Sequence, residues 1–327
     1  MVTKKQEKEV KISLEKIMER IHLISYDDWV KNFALNLTNI WKESSAAELT
    51  PTNSKTKLKS AIVIGRGPSV KKKGHLEMLA KSNFSGAIIC CDSALITTLK
   101  AGVTPDKFPN FYVVSIDPYP PIKKFYDDKI VDKYGDKIKG VFSTIVKPTT
   151  IEKARKSGIK IHWLHSLFDY EEGKKSFNQI SASMVRAKNH SEGLPAIQTG
   201  GNVGTSSWFI AWRILKCPTV ALIGINHGWN EDDPWEKIIS HGSDFVKTDV
   251  IDRKNPTFNK LFKKIYNTDF NCYCIVDPLF QFYSSALKEF IVKSPEWLTT
   301  INATEGGSIF GNRIIGMSFY LFLEKYH

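Results

Sequence analysis

The sequence predicts an α/β fold in which a mainly parallel sheet is covered by helices on both faces. Short, wholly apolar runs rich in β-branched residues recur along the chain, and such runs are typical of strands buried on both faces. Stretches with helical periodicity lie between them, as the crossovers between parallel strands require. The predicted strands are 61–65, 86–92, 111–117, 139–145, 159–165 and 219–226, and the predicted helices between them are 74–81, 93–101, 150–157 and 202–216.

The predicted sheet and its helices form a Rossmann-like nucleotide-binding domain, which we place at residues 56–250, and an extension flanks it on each side. Residues 1–55 are interpreted as a helical N-terminal extension, because apolar residues recur at near-helical spacing between Leu14 and Trp41. Residues 251–327 are interpreted as a mostly helical C-terminal part that packs on the same domain. In that part we expect helices over 255–267, 278–292 and 309–325, and a last strand over 299–304.

The composition is that of a soluble globular protein, with 42% hydrophobic and 24% charged residues in a chain of 327. No apolar run approaches the ~20 residues that a membrane-spanning helix needs, and the charged start of the chain does not resemble a secretion signal. We therefore expect a cytoplasmic protein without a membrane span. The five cysteines lack the paired spacing of zinc ligands, so we expect no metal bound through them.

The net charge of +12 predicts a partner with negative charge, such as nucleic acid, a membrane surface or a phosphorylated small molecule. Scattered lysines usually serve only to keep a surface soluble. Lys71, Lys72 and Lys73 differ from these because they directly follow a glycine turn. No recognition-helix or RNA-binding pattern is present, so we favour a phosphorylated small molecule and do not expect nucleic acid.

The turn after the first predicted strand, Gly65-Arg66-Gly67-Pro68-Ser69, is the first candidate site. Ligands of parallel sheets bind at the carboxyl ends of the strands. Glycine adopts positive φ readily and lets a ligand approach the backbone, and the serine places a hydroxyl beside free amides. The turn is therefore suited to a phosphate, although the same pattern also serves as a purely structural strand-to-helix turn.

Two acidic residues end the next two predicted strands. Asp92 is followed by Ser93, and Asp117 is followed by Pro118. Asp92 is also a suitable cap for the helix that follows it, and Asp117 is a common turn residue. As functional groups, these acids are suited to a ribose hydroxyl, a base edge or a metal ion.

A second glycine turn, Thr199-Gly200-Gly201-Asn202, precedes an apolar helix. Helix N-termini with exposed amides and small side chains bind phosphate or carboxylate groups. Two such turns in one parallel sheet, together with two acids at strand ends, favour a nucleotide site. His227 and His241 lie further along the chain, and a single histidine is most often structural, so neither is assigned by pattern alone.

The order of these motifs resembles that of one superfamily. The segments VIGRGPSV, CCDSAL, AGVTPD, VVSIDP, TGGNVGTSSWFIAWRILKCPTVALIGIN and NATEGGSIFG follow one another between about Ala61 and Gly311. They are similar to the 6-hydroxymethylpterin diphosphokinase MptE-like proteins of archaea and to the motility accessory factor (Maf) glycosyltransferases that modify flagellins. A more distant similarity is to the bacterial CMP-sialic acid transferases. The resemblance implies a Rossmann-like fold and a nucleotide-dependent transferase.

The resemblance also implies roles for individual residues. His241 corresponds to the histidine after the last core strand and is the expected general base, with Asp117 as a second catalytic residue. The substrate-binding residues implied are His227, Glu305, Gly306 and Gly307. The nucleotide-binding residues implied are Gly65, Arg66, Gly67, Pro68, Ser69, Asp92, Ser93, Thr199, Gly200, Gly201, Asn202 and Asn226, the last of which is usually Asp in Maf proteins.

The motifs and the resemblance together imply three activities, in order of preference. The first is a glycosyltransferase that moves a sugar acid from a CMP-sugar to a hydroxyl of an acceptor protein or glycan. The second is a 6-hydroxymethyl-7,8-dihydropterin diphosphokinase that uses ATP, a pterin and Mg²⁺ held by Asp92 and Asp117; Ser115 stands where that family has another acid. The third is a non-catalytic nucleotide or nucleic-acid binding module. Apart from Mg²⁺ in the second case, no cofactor is implied.

Overall fold

The computed structural model describes residues 24–53, 57–167, 176–241 and 256–326. The strands in these residues are β1 (Ser44–Ser45), β2 (Ser60–Ile64), β3 (Ala87–Cys91), β4 (Phe111–Ser115), β5 (Lys139–Ser143), β6 (Lys160–Leu167), β7 (Ala196–Gln198), β8 (Thr219–Ile223), β9 (Lys263–Asn267), β10 (Cys272–Val276), β11 (Thr299–Asn302) and β12 (Ile314–Gly316). Ten of them form one parallel sheet in the order β1-β6-β5-β4-β3-β2-β8-β11-β12, with β7 paired to β6. Strands β9 and β10 form a separate antiparallel hairpin.

Helices fill the connections between the strands. None of those within the described ranges has the length and the apolar character needed to cross a membrane. They are α1 (24–40), α2 (Ser69–Lys72), α3 (His75–Lys81), α4 (Leu95–Lys100), α5 (Lys129–Tyr134), α6 (Pro148–Lys156), α7 (Phe177–Arg186), α8 (Val203–Phe209), which continues as a π-helical segment (Ile210–Ile214), α9 (Trp235–Ser240), α10 (Pro256–Leu261), α11 (Pro278–Val292) and α12 (Phe319–Lys325).

Both faces of the sheet are buried. Along β2, Ile62 and Ile64 belong to one hydrophobic cluster, whereas Ala61 and Val63 belong to another. The first cluster is completed by apolar residues of α1, α3, α4, α6 and α12, and the second by residues of α8 and α11. Strands buried on both faces must be apolar at every position, which is why the runs in the sequence do not alternate. The Rossmann-like α/β fold predicted from the sequence is confirmed.

The order of the strands reverses between β2 and β8. From β2 the sheet grows through β3 and β4 in one direction, and through β8 and β11 in the other. Loops at such a reversal diverge and leave a crevice at the carboxyl ends of the strands, which is where open α/β sheets bind ligands. The turns that follow β2, β3, β4 and β8 all lie along this edge.

Several predicted elements differ from the structure. The helix predicted over 255–267 ends at Leu261, and β9 follows it. In the hairpin, Tyr266 pairs with Tyr273 of β10, with their ring centroids 4.9 Å apart. Such cross-strand aromatic pairs stabilise a hairpin but leave no periodic signal within one strand. The closing helix predicted over 309–325 is also shorter, because residues 314–316 form β12.

The N-terminal part contributes to the sheet as well as to the helical layer. Residues 44–45 form β1, which pairs with β6, inside the region that we predicted to be helical. A strand of two residues is too short to produce a pattern in the sequence. The helical periodicity predicted between residues 14 and 23 lies outside the described residues.

Candidate functional site

The glycine turn after β2 packs closely against the loop that follows β8. Gly65 N donates to Ile223 O at 2.8 Å, and Gly67 N donates to Gly224 O at 2.8 Å. A Cβ at Gly67 would lie 2.0 Å from Asn226 Oδ1. Neither Gly65 nor Gly67 has a positive φ. The turn therefore does not use the positive φ that glycine permits, and our expectation of free amides is wrong for these two residues, because the neighbouring loop takes the space and the donors.

Asn226 joins three loops at the reversal of the sheet. Its side-chain Oδ1 accepts a hydrogen bond from Ser69 Oγ at 3.0 Å, and its carbonyl accepts one from Ser308 N at 2.9 Å. A Cβ at Gly307 would lie 2.3 Å from the same carbonyl oxygen. Contacts within the protein thus already engage Ser69, Gly307 and Asn226, while Arg66 and Pro68 on the outside of the turn are exposed.

The second glycine turn, before α8, is open on one side. Gly200 and Gly201 have φ values of 56° and 79°, a conformation that favours glycine. Asn202 caps the helix by accepting from Thr205 N at 2.9 Å, and Thr199 Oγ1 accepts from Gly201 N at 3.2 Å. The other amides at this helix start donate to no acceptor among the residues that the structure describes; they are those of Gly200, Val203 and Gly204.

Helix α11 covers the other side of this turn. A Cβ at Gly201 would lie 2.7 Å from Cε1 of Tyr283. Burial, followed by the negative charges of Asp117 and Asp277, raises the pKa of the Tyr283 hydroxyl, which therefore stays protonated. Tyr283 is thus close to the glycine turn and to two carboxylates that lie far apart in the sequence.

The two strand-end acids lie close enough to influence each other. Asp92 is buried, and its carboxylate accepts from Ser115 Oγ and from Ser93 N, both at 2.6 Å. Burial, followed by the charge of Asp117, raises the pKa of Asp92 to about 7. Burial also raises the pKa of the partly exposed Asp117 to about 6. Near neutral pH the pair therefore holds fewer than two negative charges.

Asp92 and Asp117 alone do not complete a magnesium site, so substrate phosphates or waters would have to supply the other ligands. Both oxygens of Asp92 already accept hydrogen bonds, which leaves Asp117 as the one carboxylate of the pair without a protein donor in the described ranges. Mg²⁺ requires near-octahedral oxygen coordination. Throughout the described part of the chain, no group of three or more His, Cys, Asp or Glu side chains is arranged to hold a metal ion.

His241 is held by a carboxylate that the sequence did not reveal. Its Nδ1 lies 2.7 Å from Oδ2 of Asp277, which also accepts from Trp229 Nε1 at 2.6 Å. Asp277 caps α11 by accepting from Phe280 N at 2.9 Å, and it is fully buried. The His241 side chain remains 32% exposed. This is an Asp–His pair of the kind that supports proton transfer.

The rings of Phe280 and Tyr283 on α11, with Trp229 beside them, form an aromatic wall, and His227 is buried against it. Its ring stacks on Phe280 with centroids 6.1 Å apart, and it also contacts Tyr283 at 5.9 Å. Burial lowers the pKa of His227 to about 3, so the ring is neutral at physiological pH. Its Nδ1 has no hydrogen-bond partner in the described residues. A buried ring with so low a pKa is a weak base that substrate reaches poorly, so His241, with its exposed side chain, is the better placed of the two histidines.

Glu305 points away from this wall. Its Oε1 lies 3.3 Å from His75 Nε2 and accepts from Phe319 N at 3.1 Å. The carbonyl of Gly306 accepts from Asn302 Nδ2 at 3.2 Å. Residues Glu305 and Gly306 thus connect α12 to the loops that pack around Asn226, which we call the packed loop junction. The carboxylate of Glu305 already has partners within the protein.

The structure accordingly divides the predicted residues into two groups. The first glycine turn belongs with Asn226 and the Glu305 segment in the packed loop junction. The second turn lies with the strand-end acids and both histidines against α11. The sequence missed Trp229, Asp277, Phe280 and Tyr283 in this second group. One signal was available, because Asp277 directly precedes Pro278 at the start of a predicted helix, a capping pattern.

A separate pocket of about 340 Å³ lies at the end of β6 and beside α7. His165, Asn178 and Arg186 contribute its polar groups, and Leu167 and Val185 contribute apolar surface. None of the residues implied by the sequence lines it. Because it lacks the second glycine turn, the acids and the Asp–His pair, we place the candidate site against α11 instead.

Fold and site together define a Rossmann-like α/β protein whose candidate site lies at the carboxyl edge of a parallel sheet. The chain belongs to the family described as 6-hydroxymethylpterin diphosphokinase MptE-like, whose profile matches residues 31–232. Among solved structures it is similar to the MAf glycosyltransferase from Magnetospirillum magneticum AMB-1, with 13% identity and a TM-score of 0.54. That similarity covers 86% of this chain but only 38% of the other. No curated protein matches. The family description is that of a transferase, and the structural neighbour supports the fold.

Proposed function

We propose that the protein transfers a sugar acid from a CMP-sugar to an acceptor hydroxyl. The observation that carries this proposal is the aromatic wall of α11, which joins the open glycine turn to His241. Tyr283 lies against Gly201, Phe280 lies 6.4 Å from Tyr283, and His241 lies 4.5 Å from Phe280, measured between ring centroids. A phosphate site and a proton acceptor on one wall are what such a transfer requires.

In the proposed reaction, the donor phosphate contacts the free amides at the start of α8, where the helix dipole favours negative charge. The acceptor oxygen forms a bond to the anomeric carbon of the sugar. The bond from that carbon to the phosphate oxygen breaks, and its electron pair leaves with CMP. The proton of the acceptor hydroxyl passes to Nε2 of His241. Asp117, which has no protein donor within the described residues, accepts a hydrogen bond from a substrate hydroxyl.

Positive charge for the leaving nucleotide is available at the neighbouring turn. Arg66 is exposed there, with its guanidinium 5.6 Å from the ring centre of Phe125. The lysines at 71–73 are exposed as well, although Lys72 lies 3.4 Å from Asp232 and Lys73 lies 4.0 Å from Glu305. Cationic groups near a departing phosphate stabilise the charge that develops on it. The first glycine turn is packed against other loops on its inner side, and its exposed side therefore supplies positive charge for the leaving nucleotide.

The family description also names a pterin diphosphokinase, which would need ATP and a divalent metal. The engaged carboxylate oxygens of Asp92 favour the glycosyltransferase over it. A thermal-shift screen with CMP, CDP, UDP, ATP and GTP, each with and without Mg²⁺, separates the two. We expect CMP to raise the Tm without Mg²⁺. A rise with ATP and Mg²⁺ alone, together with AMP release when a pterin alcohol is added, would overturn the proposal.

Turnover provides the second test. Release of CMP from CMP-N-acetylneuraminic acid measures donor cleavage even before the acceptor is known. We expect His241→Gln to lower this rate about 10²–10⁴-fold, the usual contribution of a positioned base. His190→Gln is the matched control, because His190 contacts Ile40 O beside α1, away from the site. CMP binding with no turnover by the wild-type protein would instead indicate a nucleotide-binding module.

A further inference from the structure

The buried carboxylate of Asp277 has a fixed set of donors. Trp229 Nε1 and His241 Nδ1 both point at Oδ2, and Phe280 N points at Oδ1. The side chain has no solvent exposure. Carboxylate oxygens only accept hydrogen bonds, so each of these three partners must supply a proton.

This requirement determines the tautomer of His241. A neutral imidazole carries one N–H, and Asp277 places it on Nδ1. The lone pair is then left on Nε2, which has no hydrogen-bond partner in the described part of the chain. Trp229 and Phe280 also hold the ring, with centroids 5.4 Å and 4.5 Å from that of His241.

No other described acid competes for this ring. Helix α9 ends one residue before His241 and contacts it through the Lys237 carbonyl, which accepts from His241 N at 3.1 Å. The segment after β8 contributes Trp229 and the neutral His227 to the same wall. Asp277 caps α11, whose charged residues are Lys288, which acts on His227, and Glu289, which pairs with Lys293 at 2.5 Å.

We propose that Asp277 is a positioning residue that fixes His241 in the Nδ1–H tautomer and aims Nε2 as the proton acceptor. Its part in transfer rests on the function proposed above, whereas the tautomer does not. When the acceptor proton moves to Nε2, the ring becomes an imidazolium. The carboxylate at 2.7 Å then stabilises the new charge without taking the proton itself.

The test is Asp277→Asn in the full chain. Asn is an equally good helix cap, so α11 keeps its N-terminal hydrogen bond. With its oxygen kept on Phe280 N, the Asn amide nitrogen replaces Oδ2, which drives the proton of His241 to Nε2 and leaves Trp229 Nε1 without its acceptor. Asp128→Asn is the matched control, because Asp128 caps α5 by accepting from Ile130 N. The readouts are the imidazole ¹⁵N resonances, assigned with His241→Gln, and kcat and KM for CMP release.

We expect the Nδ1–H tautomer in the wild-type protein and in Asp128→Asn, and its loss in Asp277→Asn. We also expect kcat to fall about 10²–10⁴-fold in Asp277→Asn while KM for the donor stays within about 3-fold. An Nε2–H tautomer in the wild-type protein, or unchanged resonances and kcat in Asp277→Asn, would overturn the inference. The expected tautomers without turnover of any donor would support the positioning and refute only the proposed reaction.

Discussion

The glycine turn after β2 is closed by its neighbour, whereas the glycine turn before α8 is open. In the first, Gly65 and Gly67 donate to the loop after β8, and no side chain fits between the two loops. In the second, Gly200 and Gly201 adopt positive φ and leave amides free at the helix start. Glycine is therefore required for close backbone approach in one turn and for backbone conformation in the other.

This difference shows that a glycine-rich strand-to-helix turn does not reveal by itself what occupies the space beside it. At the reversal of the sheet, the partner of the first turn is another loop of the protein. The space beside the second turn remains open to a ligand. Variants at the two turns should consequently separate stability from nucleotide binding.

The largest effect is expected for Gly67→Ala. The new Cβ would lie 2.0 Å from Asn226 Oδ1 and 2.6 Å from the Gly224 carbonyl oxygen. Because backbone atoms cannot move aside easily, we expect the free energy of unfolding to fall by about 3 kcal/mol or more, measured by urea denaturation. Gly228→Ala is the control, since its nearest neighbours lie at 3.4 Å or beyond, and it should cost less than about 1 kcal/mol. An unchanged free energy of unfolding in Gly67→Ala would refute the close packing of the turn after β2 against the loop after β8.

Gly201→Ala should have a smaller effect on stability and a larger one on binding. Its φ of 79° costs a side chain about 1–2 kcal/mol, and the Cβ would lie 2.7 Å from the Tyr283 ring. Gly193→Ala has a similar φ of 76° with its nearest atom at 3.8 Å, so it reproduces the backbone strain alone. We expect the Tm rise caused by CMP to disappear in Gly201→Ala and to persist in Gly193→Ala. A rise in Tm with CMP that is equal in both variants would contradict the proposal that the turn before α8 binds the nucleotide.

Asp92→Asn tests the acids beside the open turn through their pH dependence. The pKa of Asp92 is about 7 in the folded protein and 3.8 in the reference state. The stability that the protonated Asp92 contributes is therefore fully present below about pH 4 and is lost as the pH rises through 7. Asn preserves the neutral state. We expect the variant to be more stable than the wild type by about 2 kcal/mol at pH 8, with little difference at pH 4. The control is Asp232→Asn at an exposed position, which should show no such trend. A stability difference between Asp92→Asn and the wild type that does not change with pH would exclude a raised pKa of Asp92.

Ser69→Ala should have the smallest effect. It removes one neutral hydrogen bond, from Ser69 Oγ to Asn226 Oδ1 at 3.0 Å, worth about 1 kcal/mol. A double-mutant cycle with Asn226→Ala isolates that bond. A coupling energy near zero would show that Asn226 holds the junction through its backbone alone.

The strands were predictable because burial on both faces demands continuous apolar runs. The run predicted over 219–226 contains β8, and its last three residues prove to be the loop that packs on Gly67. That contact joins residues more than 150 positions apart, and no local pattern encodes it. Asp277 and His241 are likewise brought together only because α11 lies over the carboxyl edge. Residue types at strand ends therefore predicted where the candidate site lies, but tertiary packing decides which of them remain available to a ligand.

The strands at the edges of the sheet are short: β1 and β7, both paired with β6, have two and three residues, and β12 at the other end has three, whereas β2 in the centre has five. A long free edge offers a row of unpaired backbone donors and acceptors to any passing strand, and so invites aggregation. Here the strongly apolar central strands are flanked by edges too short to recruit another chain. The brief pairing of Ser44 and Ser45 with β6 thus leaves little free edge on this side of the described sheet for another chain to pair with.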